Sequence, residues 1–233
     1  MNTETAVIAG AGPGLGRALA KRFAREGCPV ALLARDAKRL DQLAKELGAA
    51  LPIPTDLTEA KSVASAFARI DAELGSPHCV IFNAGAFRPG RILDLSPSDF
   101  EQCWRVGCWA GFLVGQEAAR RMVERGAGSI LFTGATASLR GSAGFANLVS
   151  PKFALRALAQ SMARELGPRG IHVAHVVIDG QIRSPRYEAL MQERGPDSLL
   201  EPGAIADAYW HLHRQPRSAW TQELDLRPWV EKF

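Results

Sequence analysis

Short, continuously apolar runs alternate with amphipathic stretches along this chain, and that alternation restricts its fold more than any other feature. The runs are too short for helices and lack the polar alternation of strands with one solvated face. Runs of this kind between helices are typical of a parallel sheet covered on both faces. The sequence therefore predicts an α/β fold, a doubly wound parallel sheet with helices on both faces. The expected strands are Ala6–Ala9, 29–33, Cys79–Phe82, 129–132 and 173–178.

The helices expected between these strands include 16–26, Ala37–Leu47 and 150–167. In the last of them, Ser150 is suited to capping the helix, Pro151 to its first position and Gly167 to its end. No repeat or linker interrupts the chain, so we expect residues 1–233 to form one domain. The stretch 183–201 is the poorest in regular patterns, and it is predicted to be a mobile segment on the substrate side.

Charge and composition exclude several classes of protein. The formal net charge is +4, but no aromatic-basic stripe or zinc motif accompanies it, so we expect no nucleic-acid partner. A polyphosphate cofactor or simple surface solubility explains that charge equally well. No apolar run reaches the length of a membrane span, and the N-terminus lacks the layout of a signal peptide. The four cysteines show no metal-ligand spacing, which favours buried free thiols in a cytoplasmic protein.

A glycine cluster directly follows the first expected strand. It runs Ala9-Gly10-Ala11-Gly12-Pro13-Gly14-Leu15-Gly16 and leads into the first expected helix. Glycines at such a junction allow a sharp turn and bring backbone N–H groups close to a pyrophosphate at the positive end of a helix. A tight turn without a ligand is the alternative. The position after the first strand favours a dinucleotide site.

Further motifs follow in an order that resembles the short-chain dehydrogenase/reductase family over nearly the whole chain. They are the spacing Gly10-x-x-x-Gly14-x-Gly16, Thr55-Asp56-Leu57-Thr58, Asn83-Ala84-Gly85, Lys152 and Asp179-Gly180-x-Ile182. The resemblance implies a Rossmann-like, nicotinamide-dinucleotide-binding domain. Within it, Asp56 is expected at the adenine, Asn83 at the adenosine ribose and Lys152 at the nicotinamide ribose. The expected cofactor-binding residues are Gly10, Gly12, Pro13, Gly14, Leu15, Gly16, Arg35, Asp56, Leu57, Asn83, Ala84, Gly85, Lys152, Gly180 and Ile182.

The end of the second strand indicates which dinucleotide is bound. An NAD enzyme places an acid there to accept a hydrogen bond from the ribose 2′-hydroxyl. This chain has Ala34 followed by Arg35, and the next residue, Asp36, is expected to begin a helix instead. A guanidinium offers a forked, permanently charged donor set suited to a 2′-phosphate. The sequence therefore predicts NADP(H), although Arg35 as an ordinary surface charge is the alternative.

The resemblance also identifies what the chemical site lacks. The positions of the family's proton-transferring tyrosine, carbonyl-positioning serine and water-relay asparagine hold Leu148, Ala135 and Gly107. Leucine cannot exchange a proton, and a positioned general acid contributes about 100- to 10,000-fold to a rate. Ordinary carbonyl reduction and alcohol oxidation are therefore expected to be crippled. Of the family's catalytic residues only Lys152 remains.

Asp179 is the first candidate to replace the missing proton donor. It stands where the family has proline, at the carboxyl end of the expected strand 173–178, and with Lys152 it forms the predicted catalytic pair. The favoured alternative is that Asp179 pairs with Arg183 or caps a turn. His175 is expected to be a core histidine. Polar neighbours suited to orienting a substrate are Thr136, Ser138 and Asn147. Tyr187, on the stretch 183–201, is expected to fold over the site.

Three functions are compatible with these residues. The first is an NADP(H)-dependent oxidoreductase with a non-standard proton donor, acting on a small apolar carbonyl or conjugated compound. The alternatives are a catalytically weak NADP(H)-binding sensor or partner subunit, and a non-redox enzyme such as a lyase or isomerase. A homodimer or homotetramer is also expected, paired through 96–125 and 150–167 as in the resembled family. Trp104, Trp109 and Phe153 lie on those stretches, either in the interface or in the core.

Overall fold

The architecture is a seven-stranded parallel sheet with helices on both faces. The computed structural model describes residues 4–184 and 187–231. Its strand order is β3-β2-β1-β4-β5-β6-β7, so the order reverses between β1 and β4. This topology confirms the predicted doubly wound fold. The strands are β1 (Ala6–Ala9), β2 (Val30–Ala34), β3 (Ala50–Pro54), β4 (Cys79–Phe82), β5 (Gly128–Thr133), β6 (Ile171–Ile178) and β7 (Glu223–Leu226).

Eight α-helices connect and cover these strands in the described part of the chain. They are α1 (Leu15–Arg25), α2 (Ala37–Leu47), α3 (Ala60–Leu74), α4 (Pro97–Trp104), α5 (Ala110–Arg125), α6 (Ala146–Leu166), α7 (Glu188–Arg194) and α8 (Pro202–His213). The first two lie within one residue of their predicted bounds. No helix in the described ranges is long and apolar enough to cross a membrane.

The core has two layers, because successive residues of each buried strand face opposite sides of the sheet. Val7 and Val80 pack in the layer covered by α3, α5 and α6. Their neighbours Ile8 and Ile81 pack in the other layer, beneath α1, α2 and α8. Both faces are therefore buried, which explains why the strands are apolar throughout. Cys28, Cys79, Cys103 and Cys108 are buried free thiols, as predicted.

The start of α6 differs from its prediction. The helix begins at Ala146, so Ser150 does not cap it and Pro151 lies inside it. A proline within a helix lacks the N–H that bonds to the carbonyl four residues back, which normally disfavours it there. Pro151 is buried against a neighbouring helical segment, and tertiary packing of this kind overrides the local preference for the first turn.

That neighbouring segment is a short π-helix, Arg105–Trp109, between α4 and α5. Gly107 lies within it and faces Pro151. A Cβ atom placed on Gly107 would lie 2.9 Å from Cβ of Pro151, closer than two carbon atoms normally approach. Gly107 and Pro151 are therefore complementary in shape. The family's asparagine position cannot carry a side chain here unless Pro151 changes or the helices move apart.

The stretch 183–201 contains more regular structure than its composition predicts. It includes α7, and Ile182 pairs with Leu200 in an isolated parallel bridge. Ser198 is almost fully buried, and its hydroxyl donates to the carbonyl of Gly195 at 2.7 Å. Residues 185 and 186 lie outside the described part of the chain. The predicted mobility of this stretch remains a prediction.

Candidate functional site

A cleft of about 320 Å³ opens where the strand order reverses, at the carboxyl ends of β1, β2 and β4. Open α/β sheets bind their ligands at this place, because the loops leaving two oppositely wound halves separate there. Most of the residues predicted to bind a cofactor line this cleft. They are Gly10, Gly12, Gly14, Leu15, Gly16, Arg35, Asp56, Leu57, Asn83, Ala84 and Gly85.

The glycines of the first turn divide into two kinds. Gly10 has φ +102°, and a Cβ on it would lie 2.5 Å from the backbone nitrogen of Ala84. A Cβ on Gly16 would lie 2.5 Å from the carbonyl oxygen of Gly10. These two glycines are required by the packing of the protein itself. Gly12 and Gly14 instead face open space, so no contact within the chain explains the absence of a side chain there.

The open side of the turn is suited to an anion. Helix α1 begins after Gly14 with no side-chain cap and with no acidic residue in its first turn. The first N–H groups of a helix lack partners within the helix, and the helix dipole makes that end positive. Because the glycines carry no side chains, a pyrophosphate can approach these backbone N–H groups closely and accept hydrogen bonds from them. The residues present therefore fit a dinucleotide.

Asp56 and Asn83 are both held in place at the rim of the cleft. Asp56 accepts hydrogen bonds from the hydroxyl of Thr58 at 2.7 Å and from its backbone N–H at 2.9 Å. These bonds, the hydroxyl first, lower the pKa of Asp56 below its ordinary value. The amide of Asn83 donates to the carbonyl of Gly10 at 3.1 Å and ties β4 to the glycine turn. The carboxylate is thus ionised and fixed where an adenine is expected.

The end of β2 presents a basic group to the same cleft. Ala34 is the last residue of the strand, and Arg35 is exposed at the cleft wall. Asp36 caps α2, accepting from the backbone N–H of Arg39 at 3.1 Å, as predicted. Within the described residues, no carboxylate forms an ion pair with the Arg35 side chain. Its guanidinium is therefore available to a ligand.

Lys152 lies apart from the cleft lining and is almost fully buried. Its Nζ atom donates to the carbonyl oxygen of Thr133, at the end of β5, at 2.6 Å. Burial lowers the pKa of Lys152 to about 8, because a charged ammonium loses its hydration there. Of the other predicted cofactor residues, Pro13 borders a side pocket, Gly180 lines the substrate-side cavity, and Ile182 lines neither the cleft nor that cavity.

A second cavity, of about 420 Å³, lies on the substrate side of the sheet edge. Ala135 and Leu148 both line it, so the structure brings together two positions that lack the expected hydroxyl groups. Phe87 and Phe145 also line it, and their rings stack with centroids 4.8 Å apart. Tyr187 lines the same space, in agreement with its expected place over the site. We call this space the substrate cavity.

Asp179 does not pair as predicted. Arg183 donates to Glu201 at 2.7 Å, and the described contacts of Asp179 are with other residues. The hydroxyl of Thr136 donates to Oδ1 of Asp179 at 2.6 Å, and an Arg227 guanidinium nitrogen lies 3.6 Å from Oδ2. The favoured salt bridge to Arg183 was therefore wrong. Arg227 follows β7 and is close only because β7 lies beside β6 in the sheet.

The remaining polar candidates have structural partners. The hydroxyl of Ser138 accepts from the backbone N–H of Ala135 at 3.1 Å. The amide of Asn147 donates to the carbonyl of Arg88 at 2.6 Å, which joins α6 to the loop after β4. His175 is fully buried in β6, and its Nδ1 lies 3.1 Å from a carboxylate oxygen of Glu223. Burial lowers the pKa of His175 to about 4, consistent with a neutral core histidine.

Comparisons with known proteins identify the family. The family model described as short chain dehydrogenase matches residues 4–194. Gluconate 5-dehydrogenase of Gluconobacter oxydans is 30% identical over 227 residues, covering 95% of this chain and 83% of that protein. A short-chain dehydrogenase structure from Rhodopseudomonas palustris is 40% identical with a TM-score of 0.84, covering 98% of this chain and 100% of that one. This chain belongs to the short-chain dehydrogenase family.

A further solved member of the short-chain dehydrogenase fold carries a cofactor derivative. An alcohol dehydrogenase from the archaeon Thermococcus sibiricus, complexed with 5-hydroxy-NADP, is 27% identical with a TM-score of 0.87, covering 98% of each chain. The family consists of oxidoreductases that use nicotinamide cofactors. Family membership and the cleft geometry therefore point to the same class of ligand.

Sequence reasoning did not single out several residues that line the two cavities. Val106, one residue before the family's asparagine position, lines the cofactor cleft, and Phe87 lines the substrate cavity. An apolar residue in a π-helix or loop carries no local signal of its role.

Trp109 was one of three candidates for an interface, but it packs on the core, and its indole N–H donates to the carbonyl of Thr58 at 3.0 Å.

Proposed function

We propose that this short-chain dehydrogenase is an NADP(H)-dependent oxidoreductase in which a group other than the usual tyrosine handles the proton. One observation carries the choice of cofactor. Where β2 ends in the cofactor cleft, the chain has Ala34 and the exposed Arg35 instead of an acid. Because β2 does not end in an acid, the carboxylate that would repel a 2′-phosphate is missing from that position, and the guanidinium of Arg35 attracts one.

Each part of the cleft has a role in holding the dinucleotide. The N-terminus of α1, opened by Gly12 and Gly14, binds the pyrophosphate, and Asp56 accepts from the adenine amino group. Asn83 lies beside the adenosine ribose. Lys152 orients the nicotinamide ribose from the end of β5. The bound cofactor supplies or accepts a hydride, whereas the residues of this chain bind, orient and exchange the proton.

The lining of the substrate cavity supports a small apolar substrate. Leu148 and Ile178 contribute aliphatic surface, and the stacked rings of Phe87 and Phe145 contribute a flat one. A cavity of about 420 Å³ holds a compact molecule. We therefore propose a small carbonyl or conjugated compound. Reduction of an activated C=C bond suits the site well, because the hydride is delivered to carbon without the missing tyrosine.

Cofactor titration and a substrate panel test this function. NADPH should bind at least tenfold more tightly than NADH, measured by cofactor fluorescence, because only NADPH carries the phosphate that Arg35 contacts. Turnover should appear on activated carbonyls or enones and be slow on plain ketones, aldehydes and secondary alcohols. Equal affinity for the two cofactors would contradict the cofactor assignment. Turnover of a plain ketone at about 1 per second or faster would contradict the non-standard site.

A second candidate function has its own support. Leu148, Ala135 and Gly107 remove three catalytic groups at once, while the cofactor cleft remains fully formed. That combination suits a catalytically weak NADP(H)-binding sensor or partner subunit. NADPH binding without turnover anywhere on the panel would favour this function over the first.

Exposed aromatic side chains support a proposed homodimer or homotetramer. Trp104 on α4 is 39% exposed and Phe153 on α6 is 40% exposed. Large aromatic side chains at the surface of adjoining helices are common in subunit interfaces. Light scattering at micromolar concentration should report at least a dimer. The double substitution Phe153→Ala with Trp104→Ala should weaken the association of the subunits. A monomer in the unmodified protein would contradict the proposed assembly.

A further inference from the structure

Thr136 borders the substrate cavity and makes a contact there that its sequence context does not reveal. It follows Ala135, the position where the hydroxyl is missing, and lines the same cavity. Its Oγ1 atom donates a 2.6 Å hydrogen bond to Asp179, which is only 5% exposed. We propose that Thr136 contacts the substrate oxygen and exchanges the proton with it, while Asp179 holds the hydroxyl and stores the proton. This inference rests on the proposed oxidoreductase function.

The carboxylate behind Thr136 is firmly held. The backbone N–H of Asp179 donates to the carbonyl of Leu226 at 2.8 Å, which fixes the residue to the end of β7. Arg227 lies 3.6 Å from the second carboxylate oxygen and is itself paired with Asp225. A buried carboxyl group needs such polar partners, because burial without hydrogen bonds is costly. Asp179 does not line the cavity, so it reaches a substrate only through Thr136.

Thr136 is distinguished from the other polar groups around the cavity by this connection. Arg140 and Ser142 line the cavity but are exposed to solvent. Tyr187 lines it as well and is the main rival, because a phenol is the group that the family normally uses. A threonine hydroxyl is a weak acid by itself. Its hydrogen bond to a buried carboxylate provides the second group that a proton relay needs.

The proposed step balances in both directions. During oxidation, the alcohol O–H proton moves to Oγ of Thr136 while the hydroxyl proton of Thr136 moves to Asp179. The C–H bond breaks, its hydride passes to oxidised NADP, and a C=O bond forms. During reduction, the proton on Asp179 returns through Thr136 to the substrate oxygen as the hydride reaches the carbonyl carbon. The substrate gains or loses two electrons, and the cofactor balances them.

Kinetics on an activated substrate test the relay. The probe is 1-phenylpropane-1,2-dione with NADPH, since its second carbonyl makes the reacting carbon receptive to hydride. Thr136→Val should lower kcat about 100-fold or more with little change in KM, and Thr136→Ser should restore most of it. Thr221→Val is the matched control. It loses one hydrogen bond, which the Thr221 hydroxyl accepts from the side-chain amide of Gln215 just before β7, and should leave kcat unchanged.

A vibrational measurement tests the contact without turnover. In a dead-end complex of the dione with NADP⁺, with the stored proton on Asp179, the hydroxyl hydrogen of Thr136 is free to bond the substrate carbonyl, and this hydrogen bond lowers the C=O stretching frequency. Thr136→Val should lose that shift, and Thr136→Ser should keep it. Asp179→Asn should keep the shift, because its amide N–H can donate to Thr136 and leave the hydroxyl hydrogen for the substrate carbonyl, yet lose kcat because it cannot store a proton. Fluorescence titration should give unchanged NADPH affinity in all these variants.

The outcomes separate this inference from the proposed function. Turnover that survives Thr136→Val, or that Tyr187→Phe abolishes in its place, overturns the inference and leaves the oxidoreductase intact. A parent protein that binds NADPH but turns over nothing on the panel overturns the proposed function and the proton step together. If Thr136→Val does not fold, the loss of kcat in Asp179→Asn with its retained C=O shift decides the question. An unchanged kcat in that variant also overturns the inference.

Discussion

The cofactor cleft and the substrate cavity lie at the same edge of one sheet but follow the family in different degrees. The cleft keeps the glycine turn together with Asp56 and Asn83, which stand at the family's motif positions. The cavity has Leu148 and Ala135 at the two positions where the family's hydroxyl groups are missing. The cleft depends on backbone shape, and the cavity depends on side-chain chemistry. Side-chain chemistry can change by single substitutions while the backbone frame stays unchanged.

The ionisable side chains of the two regions also differ in exposure. In the cleft, Arg35 and Asp56 are exposed, and Asp56 accepts hydrogen bonds from Thr58. Beneath the cavity, Lys152, His175 and Asp179 are all nearly or fully buried. Substitutions in the cleft should therefore change binding, and substitutions under the cavity should change both chemistry and stability.

The largest expected effect comes from restoring the family's groups in the cavity. Leu148→Tyr and Ala135→Ser place the tyrosine and serine, and Gly107→Asn supplies the amide, provided that Pro151→Ser makes room for it. This combination should raise the rate on a plain ketone with NADPH by about 100- to 10,000-fold. Steady-state assays against the parent protein measure the gain.

Two controls sharpen that experiment. Leu148→Tyr alone should gain much less, since groups that act as a unit are not additive. Gly107→Asn without Pro151→Ser should lower the melting temperature, because its Cβ would lie 2.9 Å from the proline ring. A fully combined variant that binds NADPH and folds normally but remains as slow as the parent would contradict the view that only side chains separate this cavity from an ordinary one.

An intermediate effect is expected from acid on the region beneath the cavity. Burial lowers the pKa of His175 from 6.5 to about 4. Between these two pH values the histidine is protonated in the unfolded chain but neutral in the folded chain. Stability from this group is complete above pH 6.5 and is lost as the pH falls toward 4. Between pH 7 and pH 5 the loss should be about 2 kcal/mol.

Urea unfolding at several pH values measures that loss. His175→Asn should reduce the difference in unfolding free energy between pH 7 and pH 5, since asparagine does not titrate. His211→Asn is the control, because His211 is exposed and should leave the pH dependence unchanged. Identical pH dependence in the parent and in His175→Asn would show that this histidine does not couple folding to protonation.

The smallest expected effect lies in the cleft. Arg35→Ala should weaken NADPH binding by roughly tenfold and leave NADH binding nearly unchanged, because only the phosphate contact is lost. Arg25→Ala removes the same charge at the far end of α1 and serves as the control. If Arg25→Ala weakened NADPH binding as much as Arg35→Ala does, the effect would be one of overall charge and not of a phosphate contact. If Arg35→Ala did not change NADPH binding, the cofactor assignment would lose its main support.

The sequence predicted the parallel fold, five of the seven described strands and most of the cleft, because those features are local. A buried parallel strand is an apolar run, and a phosphate-binding turn is a glycine cluster after such a run. Both can be recognised within a few residues of sequence. The helix start at Ala146 could not be predicted in this way. Pro151 packs against Gly107, which lies 44 positions earlier in the chain, and this contact overrides the local rule for proline.

The environment of Asp179 was predicted wrongly for a related reason. The sequence suggested a partner four residues away, Arg183, because nearby charges are the ones a linear pattern reveals. Its observed partners are Thr136 and Arg227, which follow β5 and β7 and come together because those strands flank β6 in the sheet. Contacts across strands depend on strand order, which no local pattern contains. The same limit concealed the contribution of Phe87 to the substrate cavity.

The fit between Gly107 and Pro151 also makes the order of mutations matter. A substitution that adds a side chain at Gly107 is harmful while Pro151 is present and harmless once it is gone, so the effect of one depends on the other. Any evolutionary route back to the family's water relay must therefore change position 151 first. Random mutagenesis screened one substitution at a time should miss that route, whereas libraries that vary both positions together should find it.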